Sequence, residues 1–105
     1  MNACMIYVAT SGPGEAKSIA KALVSERLIA CANIIDGATS IYRWDDQVKE
    51  DTETLLIAKT SIAQREEAMH RMRELHSYET PCVVAYDIAA GLPDYLDWIT
   101  SECRS

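Results

Sequence analysis

Residues 30–44 read "ACANIIDGATSIYRW", fifteen residues that carry only Asp36 and Arg43 as charges, with an Asp-Gly pair near their middle. Asp36-Gly37 is a strong local hairpin signal, because a type I′ turn needs positive φ at both central residues. Runs rich in β-branched and aromatic residues flank it, Ala32 to Ile35 and Thr39 to Trp44. Two folds follow from two readings. A hairpin at Asp36 adds a strand and leaves 38–44 to turn again through "DDQ" at 45–47. A bulge at Gly37, which glycine inside a strand often marks, lets 31–44 pair with 48–60 as one ribbon. Fourteen residues at about 3.3 Å each span roughly 46 Å. A globule of this length has a radius of gyration of only about 13 Å. Such a ribbon projects, and its edges offer backbone groups to another chain. The long bent strand is the expected form, and a strand-sharing oligomer its expected consequence.

The rest of the chain supplies the frame. "ACMIYVAT" at 3–10 is apolar almost throughout and short, as a buried strand is. "SGPGE" breaks it and starts a helix with Pro13 in the first turn. Ala16, Ile19, Ala20, Leu23 and Leu28 then recur at helical spacing from Glu15 to Leu28. Ser61 with Gln64 has capping-box spacing, and Ile62, Met69, Met72 and Leu75 give a second helix its apolar stripe. Pro81 ends that segment. "CVVAYDIA" at 82–89 is a strand, "AGLP" a turn, and Asp94 to Cys103 a final helix. The order β-α-β-β-α-β plus a C-terminal helix predicts a single domain over 1–105, of α+β class and ferredoxin-like split βαβ architecture. Right-handed crossovers put both core helices on one sheet face. The other face meets water or a partner.

Composition narrows the function. The net charge of −6 argues against nucleic-acid binding, which draws on Lys and Arg facing phosphates. No apolar run approaches the roughly 20 residues that span a bilayer. No cationic stretch precedes "MNACMIYVAT", so no signal peptide is expected and the cytoplasm is the expected location. Cys4, Cys31, Cys82 and Cys103 are dispersed without a C-x-x-C pair, as reduced thiols acting as small hydrophobes are. No catalytic constellation emerges. "SGPGE" lacks the Lys of a P-loop, and no nucleophile elbow surrounds Ser11. Metal chemistry needs convergent soft or nitrogen donors. The topology puts Cys4 and Cys31 at one end of the sheet and Cys82 at the other. The sparse donors that remain are Cys31, and His76 with Glu79 near it. Otherwise His76 is a helix-end residue bonding terminal carbonyls. Tyr78, Glu79 and Trp44 are candidates for a ligand pocket between subunits, or else for plain packing.

"ERLIACANIIDGATSIYRW", "EDTETLLIAKT", "ELHSYETP" and "GLPDYLDWI" together resemble the CutA family of divalent-cation tolerance proteins, in family order along nearly the whole chain. The resemblance implies a homotrimer whose long strands form inter-subunit sheets. It implies a role in tolerance of copper or another divalent cation without catalysis, and an architecture like that of PII signalling proteins, so a PII-like small-ligand sensor is the rival reading. Two positions depart from the family pattern: Asp36 stands where proline is usual, and so does Ser77. The family's copper ligands resemble a cysteine ending the first strand and two adjacent histidines. Here those places hold Val8, Leu75 and His76, so of that set only His76 carries over.

Overall fold

The computed structural model describes residues 2–104. Strand β1 (Ala3–Thr10) leads to helix α1 (Pro13–Ser25), then to strands β2 (Cys31–Trp44) and β3 (Gln47–Ser61). A single 3-10 turn at Ile62–Gln64 enters helix α2 (Arg65–Leu75), followed by strand β4 (Val83–Asp87) and helix α3 (Pro93–Glu102). The four strands form one sheet in the order β2-β3-β1-β4, every neighbouring pair antiparallel. This is the expected ferredoxin-like split βαβ arrangement with an added C-terminal helix.

The core lies between the sheet and the α1/α2 layer. Ile6, Val8, Leu56 and Ala58 of the central strands meet Ile19 and Leu23 of α1 and Ala68 and Met72 of α2. Their partners at alternate positions (Met5, Tyr7, Leu55, Ile57) point to the opposite face, of which α3 covers the end at Ala3 and Cys31. Helix α3 seals the end of the sheet where β1 and β2 begin, burying Ile99 and Cys103 against Ala3 and Ala30. Two buried threonines satisfy their hydroxyls across the fold, Thr10 on the Thr54 carbonyl at 2.8 Å and Thr60 on the Leu28 carbonyl at 2.6 Å.

The stretch at 30–44 is one strand. Ile35 pairs with Leu55 and Ala38 with Glu53, so Asp36 and Gly37 together oppose Thr54. Gly37 carries the positive φ of +76° that the bulge requires, and glycine adopts it without a Cβ penalty. Asp36 locks the bulge: its Oδ1 accepts from the Gly37 amide and the Thr54 hydroxyl, both at 2.8 Å. The hairpin sits where "DDQ" was read as a turn, and it is tighter than that. Asp45 and Asp46 alone form the loop, at φ 52° and 61°, as a two-residue turn with positive φ at both positions needs. Beyond Thr10 and Thr54 only β2 and β3 continue, so the ribbon runs past the sheet and gives the molecule its 44 Å long axis. Asp36→Pro is expected to be tolerated at a cost of about 1 kcal/mol, the two lost side-chain bonds. Asp36 is not among the positive-φ residues, so proline's fixed negative φ does not require its backbone to change sign. A urea-midpoint loss of several kcal/mol would contradict this account of the bulge.

Several element ends differ from expectation. Helix α1 stops at Ser25, not Leu28. Arg27 takes φ 60°, the Leu28 amide bonds Leu23 O at 3.0 Å and the Arg27 amide bonds Val24 O at 3.0 Å. This is a Schellman ending, and Leu28 is buried as its hydrophobic contact rather than as a helical position. Arg27 occupies a place that favours glycine, yet its guanidinium closes the far helix, donating to Ser101 O and Glu102 O at 2.9 Å each. Strand β4 is shorter than 82–89; its flanks keep single bonds, Ala9 N to Cys82 O and Ile88 N to Ala3 O. Helix α3 starts one residue early, with Pro93 in its first turn.

Candidate functional site

Beyond the bulge, the ribbon continues past the ends of β1 and β4. Facing it, the turn after α2 (residues 76–82) is drawn down onto the end of β1. Between them lies a concavity of about 600 Å³. Register decides which side chains enter: Glu53, Ser40, Tyr42, Lys49 and Trp44 share the open-face parity of Leu55 and Ile35. The sheet floor adds Tyr7 and Ala9, and the turn adds Tyr78, Glu79, Thr80 and Cys82.

His76 anchors the turn. The residue is 9% exposed. Nδ1 accepts the Tyr78 amide at 3.1 Å, so the proton sits on Nε2, which donates to the Ala9 carbonyl at 2.8 Å. The ring also packs against Tyr78 with centroids 4.7 Å apart. Glu15 holds the same turn from below. Its carboxylate accepts the Ser77 amide at 2.8 Å and the Ser11 amide and hydroxyl at 3.0 and 3.1 Å. Burial alone would raise the Glu15 carboxyl, but the bonds from Ser11 and Ser77 outweigh it and hold it down to about 2. A carboxylate lowered on folding stabilises above its unfolded pKa and loses that contribution as pH falls through the folded one. Glu15→Gln is expected to cost about 1 kcal/mol at pH 7, with the gap to the parent closing from pH 4.5 toward 2 in urea titrations. A gap independent of pH would refute the assignment.

Tyr78 carries the link onward. Its hydroxyl donates to Glu53 Oε2 at 2.9 Å. Burial, that bond, and the charges of Glu53, Glu15 and Asp51 push the phenol up to about 12. Across the ribbon the Tyr42 hydroxyl donates to Asp51.

The structure brings Trp44, Tyr78 and Glu79 to one concavity, as the sequence suggested. Within one chain it places Cys31 and His76, the two separate metal-donor candidates, far apart. Cys31 pairs with Lys59, and Lys59 with Met5, whereas His76 binds Ala9. The stretch from Met5 to Ala9 alone spans about 13 Å. Cys31 Sγ lies 3.5 Å from the Tyr95 hydroxyl, and both His76 nitrogens are engaged. The expected cysteine place, Val8, is core. Among the described residues no three His, Cys, Asp or Glu side chains converge for a metal ion. The donors of one chain therefore do not fit copper. All four thiols are free, with Cys4 and Cys103 buried, Cys31 half-buried and Cys82 exposed; burial pushes the Cys4 thiol up. Sequence reading missed Glu53, Tyr42 and Lys49. Strand alternation would have found them once the bulge register was known.

A model of the CutA1 divalent ion tolerance protein family matches residues 4–102. The chain belongs to the CutA1 family. The divalent-cation tolerance protein CutA of Thermus thermophilus is 51% identical over 84 residues, 80% of this chain and 82% of that one. A crystal structure of CutA from Xylella fastidiosa superposes with a TM-score of 0.96 at 34% identity, covering 99% of this chain and 100% of that one. The CutA structure from Archaeoglobus fulgidus, described as a periplasmic divalent cation tolerance protein, gives 0.92 at 35% identity, covering 95% and 97%. The CutA1 fold therefore extends over the concavity, the ribbon and α3 alike.

Proposed function

We propose that the chain acts as a non-catalytic homotrimer in divalent-cation tolerance, working in the cytoplasm. The observation that carries this reading is the ribbon. Beyond the sheet it exposes Ile41 and Val48 at 66% and 69%, on the ribbon face away from the concavity, while Ile35, Val84 and Tyr86 are exposed apolar residues on the open sheet face. Edges and apolar surface of this kind are covered by closed symmetric association, and the number three follows from the family resemblance. Light scattering at micromolar concentration is expected to give a mass three times that of the chain. A monomer there would overturn the reading.

The ligand has two readings. In the first, copper or another divalent cation is held by donors that meet only between subunits, Cys31 and His76 being the candidates the sequence offers. In the second, the trimer is a PII-like sensor of a small organic ligand. The aromatic concavity favours the second, because its walls suit a small organic molecule. Equilibrium dialysis of the assembled protein against copper, zinc and a nucleotide panel separates them. Copper uptake abolished by combining His76→Ala with Cys31→Ser, with assembly intact, would establish the first.

A further inference from the structure

Four aromatic rings from three separate elements converge on the concavity: Tyr7 of β1, Tyr42 and Trp44 of β2, and Tyr78 of the turn after α2. Aromatic faces attract a cation electrostatically, most strongly where it is partly desolvated. The charged groups on the lining are the carboxylates of Glu53 and Glu79 against the single ammonium of Lys49. The hydroxyl protons sharpen this. The Tyr78 and Tyr42 hydroxyls donate to Glu53 and Asp51, so neither hydroxyl proton is left for an anion. Lys49 lies on the exposed ribbon, where its flexible stem can carry the ammonium into water.

We propose that this concavity binds a small alkylated ammonium ion, caged by Tyr42, Trp44 and Tyr78 and balanced by Glu53 and Glu79. The proposal rests on the small-ligand reading above and names the ligand class. The volume of about 600 Å³ lies within the range of small-molecule sites. An alkylammonium holds its water weakly and needs no convergent donor set, which the described residues lack for a metal ion.

The test is calorimetric titration of the full chain, freed of metal, with choline, its uncharged carbon isostere 3,3-dimethylbutan-1-ol, and the anion 3,3-dimethylbutanoate. Choline is expected to bind at least about tenfold more tightly than the isostere, and the anion not at all. Trp44→Ala is expected to weaken choline about tenfold, with Trp44→Phe restoring most of it, and Glu79→Gln about threefold. Equal binding of the isostere would mean an apolar slot and overturn the proposal, as would preference for the anion. Light scattering on the same samples separates the claims. An assembled protein that binds no choline refutes the cation site and leaves the trimer standing. A monomer that binds it with the expected preference supports the site and refutes the assembly.

Discussion

Replacing His76 with alanine is expected to destabilise the chain by about 2–4 kcal/mol. The ring is buried and joins two segments distant in sequence: Nε2 donates to Ala9 O, and Nδ1 accepts from Tyr78 N. Truncation leaves a carbonyl and an amide without partners and opens a cavity beside Tyr78. Unpaired buried groups lose their full desolvation energy, not the small net value of one hydrogen bond. For a chain near 100 residues the midpoint should fall by roughly 10–25 °C. Protein concentration must be held fixed, because association shifts apparent stability. The turn from Ser77 to Thr80 loses its anchor, so ligand binding in the concavity should weaken with it. A loss below about 1 kcal/mol would show that Glu15 alone holds the turn.

Leu56→Ala is expected to cost about 3–4 kcal/mol, read as a urea-midpoint shift. Leu56 is 0% exposed on β3, between Val8 of β1 and Ile34 of β2. It lies under both core helices, where little around it can collapse into the space left. Its neighbour Ile57 faces the open side and pairs with Tyr7 and Asn33. Ile57→Ala should cost only about 1 kcal/mol if that face meets water. A cost matching that of Leu56 would mean a second subunit covers the face.

Much of the fold was legible because its signals are local. Alternation along "TETLLIAKT" puts Leu56 and Ala58 on one face whatever lies across from them. Ser61 caps the following turn through its own hydroxyl, accepting from Gln64 N at 3.2 Å. Asp36-Gly37 was the ambiguous point, since positive φ at a glycine serves a hairpin and a bulge equally. It was resolved by what neighbouring segments could pair with, not by the dipeptide. The true two-residue turn, Asp45-Asp46, carried the weaker local signal, because neither residue is glycine.

The candidate site was legible only in part. Trp44, Tyr78 and Glu79 were named from the sequence, and they do share a concavity. Cys31 and His76 were named for their chemistry, and chemistry says nothing of direction. The strand register puts Cys31 at one end of the sheet. The Ala9 carbonyl, 67 residues from His76 in sequence, takes the nitrogen that a metal would need.

From its sequence alone this protein's element order and its buried face were determined, because apolar period, proline and capping side chains act within a few residues. The tertiary structure decided the rest: where Glu15 spends its charge, which tautomer His76 holds, and which side chains wall the concavity. Hydrogen-bond donors and acceptors bind whichever groups the folded chain brings within about 3 Å, and those groups lie tens of residues away.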